Sequence, residues 1–365
     1  MRRGIVAAVV VASLLSGCTG SKPAGAPAGQ ASGAFPVTVT AQNGPVTIPA
    51  RPKRIVSMSA TATQMLYAIG AGPQVVAVDK YSTDPPNAPR TSFTGSETSA
   101  EGYLTFHPDL VVVAFDTGHS LVSQLKLLHV ATLLLPPATS LNDTYDQFKA
   151  LGAATGHLAA ANAEVASIGR HLDAIAASVG SRGRGLTYYQ EIDNTLFTAT
   201  SKTFIGALYA RLGMVNIADP ADHDGSGYPQ LNAEFLIQAN PDFVFLADTV
   251  CCGQTPATFA ARPGFSNLRA VQEGHVYPLV DSIASQWGPR VVDFLQTIAD
   301  DVGKATATTS AAYRPDDPGL ARVTYVPAGA LACRFDRYSR HVSHTTRASN
   351  RLSRMRAIEN FEVSW

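Results

Sequence analysis

The chain has 365 residues, 45% of them hydrophobic, with 29 Gly and 23 Pro, a length that admits two ordinary domains and a composition that excludes a fibrous or wholly disordered chain. Its 28 basic residues balance 28 acidic ones, so no global field points to nucleic acid. The balance is uneven, however, because Arg334–Arg356 gathers seven arginines against Asp336 alone. In chain order, Met1-Arg2-Arg3 followed by the apolar Ile5–Leu15 reads as a secretory signal over residues 1–18. The apolar run falls short of the about 20 residues that a membrane-spanning helix needs. Thr19–Ala34 is almost wholly Gly, Ala, Pro, Ser and Thr, which cannot bury enough apolar surface to fold and predicts a flexible tether.

Folded structure is therefore expected from Phe35. Val37, Val39, Val46 and Ile48 alternate around Asn43-Gly44, a hairpin signal. Residues 54–58 (RIVSM) read as a strand, Thr61-Ala62-Thr63-Gln64 has capping-box spacing ahead of a helix that stops at Gly70, and 75–79 (VVAVD) returns as a strand. Strand, helix and strand in this order predict a parallel sheet. Residues 100–115 (AEGYLTFHPDLVVVAF) then recur in outline at 233–248 (AEFLIQANPDFVFLAD), each with a glutamate, Glu101 or Glu234, seven positions before a proline, Pro108 or Pro241. In each copy a helix begins near the glutamate, breaks at the proline and turns at the next Asp into an apolar strand, whose unbroken run suits burial on both faces. The second copy has its own lead-in, with a strand at 186–190 and a helix at 201–213. Between the copies, Leu158, Ala161, Val165, Ile168, Leu172, Ile175 and Val179 fall at steps of three and four, one amphipathic helix of about six turns. The expected architecture is α/β: two similar lobes with parallel-type sheets, residues 35–150 and 183–303, joined by one long rigid helix within 151–182, with a ligand cleft between the lobes. Residues 304–365 are expected to form an atypical, disordered basic tail; contact with anionic lipid is its alternative role.

Ligands of parallel α/β sheets bind beyond the carboxyl ends of the strands. That rule selects Lys80–Asp84, Asp116–His119, Asp193-Asn194, Lys202, Asp222–Tyr228, Asp248–Cys252 and Ser285–Arg290. Tyr81, Tyr228 and Trp287 are candidates for flat contact surfaces and Lys80, Lys202 and Arg290 for anionic groups, each with an ordinary packed or solvated role as the alternative. Cys251 and Cys252 are adjacent. Their Cα atoms are then about 3.8 Å apart, closer than usual for a disulfide, so a reduced pair and a vicinal disulfide both stay open. Histidines beside carboxylates, His119 with Asp116 and His223 with Asp222 and Asp224, could serve an enzyme or a bare metal ion. No nucleophile elbow, HExxH, phosphate loop or glycine fingerprint accompanies them, and no enzyme, resident metal or cofactor is expected.

Arg51–Val56 with the helix after it, Ala71–Val78, Glu101 through Pro108-Asp109-Leu110, the long central helix and Gly288-Pro289-Arg290 stand in an order that resembles the substrate-binding proteins of ABC importers, in particular the helix-linked class serving iron–siderophore, haem and vitamin B12 uptake. The end of the signal, Leu15-Ser16-Gly17-Cys18, resembles a lipobox, which implies a lipid on Cys18 and anchorage at the outer face of the cytoplasmic membrane. The resemblance implies further that Glu101 and Glu234 meet arginines of the permease, a dimer driven by a cytoplasmic ATPase. As a purely local alternative, each carboxylate suits the first turn of its helix. The implied ligand is an iron chelate such as a ferric siderophore, with cobalamin, haem and a bare metal ion as alternatives. Gln64 stands where many members carry glutamate, and the basic tail has no counterpart in the family.

Overall fold

The computed structural model describes residues 35–96 and 99–312, without the side chains of 308–312. The signal, Cys18, the tether and the arginine-rich segment lie outside the described residues. In chain order the strands are β1 (Val37–Ala41), β2 (Gly44–Ile48), β3 (Ile55–Met58), β4 (Val75–Val78), β5 (Leu110–Val113), β6 (Ala131–Leu134), β7 (Thr187–Glu191), β8 (Val215–Asn216), β9 (Phe243–Leu246) and β10 (Val276–Pro278). The helices are α1 (Ala60–Ala68), α2 (Glu101–Leu104), α3 (Ser120–Leu127), α4 (Leu141–Thr155), α5 (Leu158–Val179), α6 (Phe204–Arg211), α7 (Ala233–Ala239), α8 (Pro256–Ala260), α9 (Arg269–Gln272), α10 (Asp281–Ala284) and α11 (Val291–Ala312).

Each lobe is built on a four-stranded parallel sheet, ordered β4-β3-β5-β6 in the first and β8-β7-β9-β10 in the second. Numbered within its own lobe, each sheet runs second, first, third, fourth. The duplicated phrase is thus a duplicated position: α2 leads into β5 and α7 into β9. The two turns match in detail, with His107 and Asn240 both at positive φ just before the prolines. Asp109 accepts the backbone N–H groups of Lys53 and Arg54 ahead of β3, and Asp242 accepts that of Thr187 at the start of β7. One carboxylate in each lobe therefore ties the third strand to the first.

The apolar strands divide their side chains between two layers, as period-two alternation requires. Leu110 and Val112 enter one large core, while Val111 and Val113 face an outer cluster with Met58 and Tyr103. In the second lobe Phe243 and Phe245 join the same large core, and Val244 and Leu246 pack outward with Phe259 and Phe265. Ala161, Ile168, Leu172, Ile175 and Val179 of α5, together with Val291, Leu295, Ile298 and Val302 of α11, belong to that large core. The two lobes share one continuous interior.

Three local expectations change. The N-cap of α1 is Ser59, in extended backbone with its side chain accepting from the Ala62 N–H; Thr61 and Gln64 lie inside the helix and are buried. The linking helix keeps the expected stripe, Leu158–Val179, but residues 151–155 belong to α4, which Gly156 closes in left-handed backbone, and Leu158, counted in the apolar stripe, is exposed. Residues 304–312, assigned to the tail, continue α11, where Val302 and Ala305 stay buried and the Thr306 hydroxyl turns back to the Val302 carbonyl. No helix among the described residues is long and apolar enough to cross a membrane. The hairpin β1–β2 caps the edge of β6, since Asn43 donates to the Thr132 carbonyl and accepts from the Leu134 N–H. It thereby carries Gln42 to the cleft.

Candidate functional site

A cavity of about 540 Å³ opens between the lobes. From the first lobe it is lined by the segments after β5 (Ala114–His119) and after β6 (Pro136–Thr139), and from the second by Lys202–Phe204 and Gly225–Tyr228. All four follow the carboxyl ends of strands, where loops are free of sheet duties. Lys202, Tyr228 and the Asp116–His119 loop are therefore brought together. Phe115, Phe204, Pro136 and Pro137 also line the wall although the sequence reading passed them over. The same strand-end rule would have found the last two had residues 131–134 been recognised as a strand.

The second-lobe wall is set by two acids. Asp219 accepts the Ser201 N–H at 2.8 Å and the Ser201 hydroxyl at 2.7 Å. Asp222 accepts the Gly227 N–H at 3.2 Å through Oδ1, and its Oδ2 lies 3.4 Å from Lys202 Nζ. Gly227 sits at φ +80°, and a Cβ there would stand 2.8 Å from the Thr203 methyl, so a larger residue would push the loop off the wall. Burial raises the Tyr228 phenol above its ordinary pKa, which keeps its hydroxyl a hydrogen-bond donor. On the opposite wall both oxygens of Asp116 are occupied by the N–H groups of Leu121 and Val122 at the start of α3.

The other candidates stand elsewhere. Lys80 lies over the Tyr81 ring at 4.7 Å, a cation–π pair that does not line this cavity. Trp287 is 5% exposed and donates its indole N–H to Gln147 of α4 at 2.9 Å; Gln147 in turn donates to the Pro136 carbonyl on the cavity wall. Arg290 reaches Asp84 at 3.6 Å and Asp293 at 3.0 Å, while Gln64 donates to Asp84 and lies against Gly288. The segment 287–290 thus forms a seam between the lobes. Cys251 and Cys252 are joined as a vicinal disulfide on an exposed loop whose N–H groups, from Thr249 to Cys251, converge on Asp281.

Glu101 and Glu234 are both exposed at the starts of α2 and α7, and neither side chain makes an ion pair or hydrogen bond among the described residues. Tyr103 and Leu236, fully buried two positions on, hold the two helices down. Among the described residues, no three His, Cys, Asp or Glu side chains cluster tightly enough to hold a metal ion.

Residues 55–282 match the family model described as periplasmic binding protein. The chain belongs to that family. It is 28% identical over 314 residues to an uncharacterised ABC transporter substrate-binding lipoprotein, YvrC, of Bacillus subtilis, covering 82% of this chain and 97% of the relative. With a cobalamin-binding protein of Halobacterium salinarum it shares 31% identity over 320 residues, covering 82% of this chain and 85% of the relative. Its fold is similar to that of the periplasmic haem-binding protein RhuT from Roseiflexus sp. RS-1, with a TM-score of 0.61 at 21% identity, covering 70% of this chain and 99% of that one. The protein is thus a substrate-binding component of an ABC importer.

Proposed function

We propose that this protein captures a corrinoid such as cobalamin and delivers it to an ABC permease, with no chemistry of its own. The cavity wall carries the choice of ligand. Among the described residues that line it, Lys202 is the one lysine or arginine, set among Phe115, Phe204, Tyr228, Pro136 and Pro137. A ferric siderophore, often a multiply charged anion, would call for several cations. A corrinoid is bulky, neutral overall and edged with amides, and suits aromatic faces with backbone and hydroxyl groups between them. The cobalamin-binding name of the Halobacterium salinarum relative supports the same choice, and a cavity of this size is far larger than a bare ion needs.

Calorimetric titration of the protein with cyanocobalamin, haem, a panel of ferric siderophores and zinc tests the reading. Saturable binding of cyanocobalamin at about micromolar affinity or tighter is expected, and Tyr228→Ala is expected to weaken it about tenfold through loss of an aromatic contact. Binding of a ferric siderophore alone would return the assignment to an iron chelate, and binding of zinc alone would turn it to a metal ion.

Glu101 and Glu234 are proposed as the permease contacts, and Cys18 as the lipid-bearing residue that holds the protein at the outer face of the membrane. Cys18→Ser is expected to move the protein from the membrane pellet to the soluble extracytoplasmic fraction on immunoblots. A variant that stays in the pellet would disprove lipidation at that residue.

A further inference from the structure

We infer that Asp222 sets the charge preference of the cleft, by neutralising the lysine that faces the ligand; this rests on the reading of the cavity as the site of an organic macrocycle. The Asp222 side chain is wholly buried, whereas Lys202, 3.4 Å away, is 65% exposed and lines the cavity. A buried carboxylate needs a partner, and Asp222 has two, the Gly227 N–H through one oxygen and Lys202 through the other. The lysine is thus held at the wall by a counter-charge that the ligand cannot displace or reach. Asp219, through Ser201, fixes the turn from which Lys202 projects. Across the cavity Asp116 is engaged by α3, and the Asp224 carboxylate takes the Ser226 N–H within the same loop as Tyr228. The local sum of Lys202 and Asp222 is zero, so a ligand bearing carboxylates gains little there over a neutral one.

The prediction is a change of sign. Asp222→Asn keeps an acceptor for the Gly227 N–H but leaves Lys202 uncompensated; Lys202→Met leaves Asp222 uncompensated; the double variant restores neutrality. Affinities for haem, with its two carboxylates, and for cyanocobalamin are measured by calorimetry for all four chains at low and physiological salt. The ratio of haem to cyanocobalamin affinity is expected to rise roughly five- to tenfold in Asp222→Asn, to fall by a similar factor in Lys202→Met and to return to the wild-type value in the double variant, with both shifts shrinking in salt. A purely structural role for Asp222 would weaken both ligands together and leave the ratio alone, and that result overturns the inference. So does a double variant whose ratio stays raised above that of the wild type. If Asp222→Asn does not fold, an unchanged ratio in Lys202→Met is enough to overturn it. Failure of the wild-type chain to bind either macrocycle would instead overturn the corrinoid reading itself, and this inference with it.

Discussion

Replacing Glu101 and Glu234 together with alanine is expected to abolish uptake by whole cells, while the purified protein keeps its ligand affinity within about twofold of wild type, because surface charges of this kind govern docking and leave a distant cavity untouched. Both carboxylates are solvent-exposed, so their removal opens no cavity. Each sits on a helix anchored by a fully buried neighbour, Tyr103 or Leu236, so the helices hold their places. The competing account, in which each glutamate only complements its helix dipole, allows a loss of about 0.3–1 kcal/mol of stability per site and no transport defect. Radiolabelled ligand uptake beside thermal melting separates the two. Uptake that survives the double substitution removes the docking role.

A second large effect is expected inside the second lobe. Glu191 has a fully buried side chain and receives two guanidinium hydrogen bonds from Arg262, at 2.7 and 2.6 Å. Asp248, also fully buried, stands beside it with no donor reaching either oxygen. Burial first and the neighbouring Glu191 second push the Asp248 carboxyl up to about 8, so near neutrality Asp248 carries a proton and shares it with Glu191. Arg262→Met removes the one counter-charge paired with Glu191 among the described residues and is expected to cost about 3–5 kcal/mol of unfolding free energy, read by denaturant melts.

The same pair gives a pH signature. Asp248 in the folded chain holds its proton to about pH 8, whereas the unfolded chain releases it near pH ~4. Between those values the folded state binds more protons, so this group's contribution to stability falls as pH rises through that window. Asp248→Asn, which cannot ionise, is expected to flatten the decline in melting temperature from pH 5 to pH 8. Parallel slopes for the two proteins would refute the protonated aspartic acid.

The duplicated lobes were legible because each strand in the repeat is a continuous apolar run and each turn carries its own proline and Asp. The central helix was legible from its apolar steps of three and four, which became the buried stripe Ala161–Val179. Cleft residues were harder to read. Strand ends located Lys202, Tyr228 and the Asp116–His119 loop, but no local pattern distinguishes a tryptophan that faces ligand from one that seals a seam. Trp287 is buried by Gln147, 140 positions away, and such a partner has no signature in sequence. Asp222 falls in the candidate segment 222–228, yet its side chain is buried behind the wall, 3.4 Å from Lys202 in front.

Because α5, α11, both sheets and the Trp287–Gln147 seam share one interior, the lobes cannot swing apart without tearing a core. An empty and a loaded molecule should therefore present nearly the same outline to a permease, and the two states must be told apart at the rim of the cleft, by what fills it. With the permease contact proposed above, release would become the permease's task, since opening the cleft would expose the shared core.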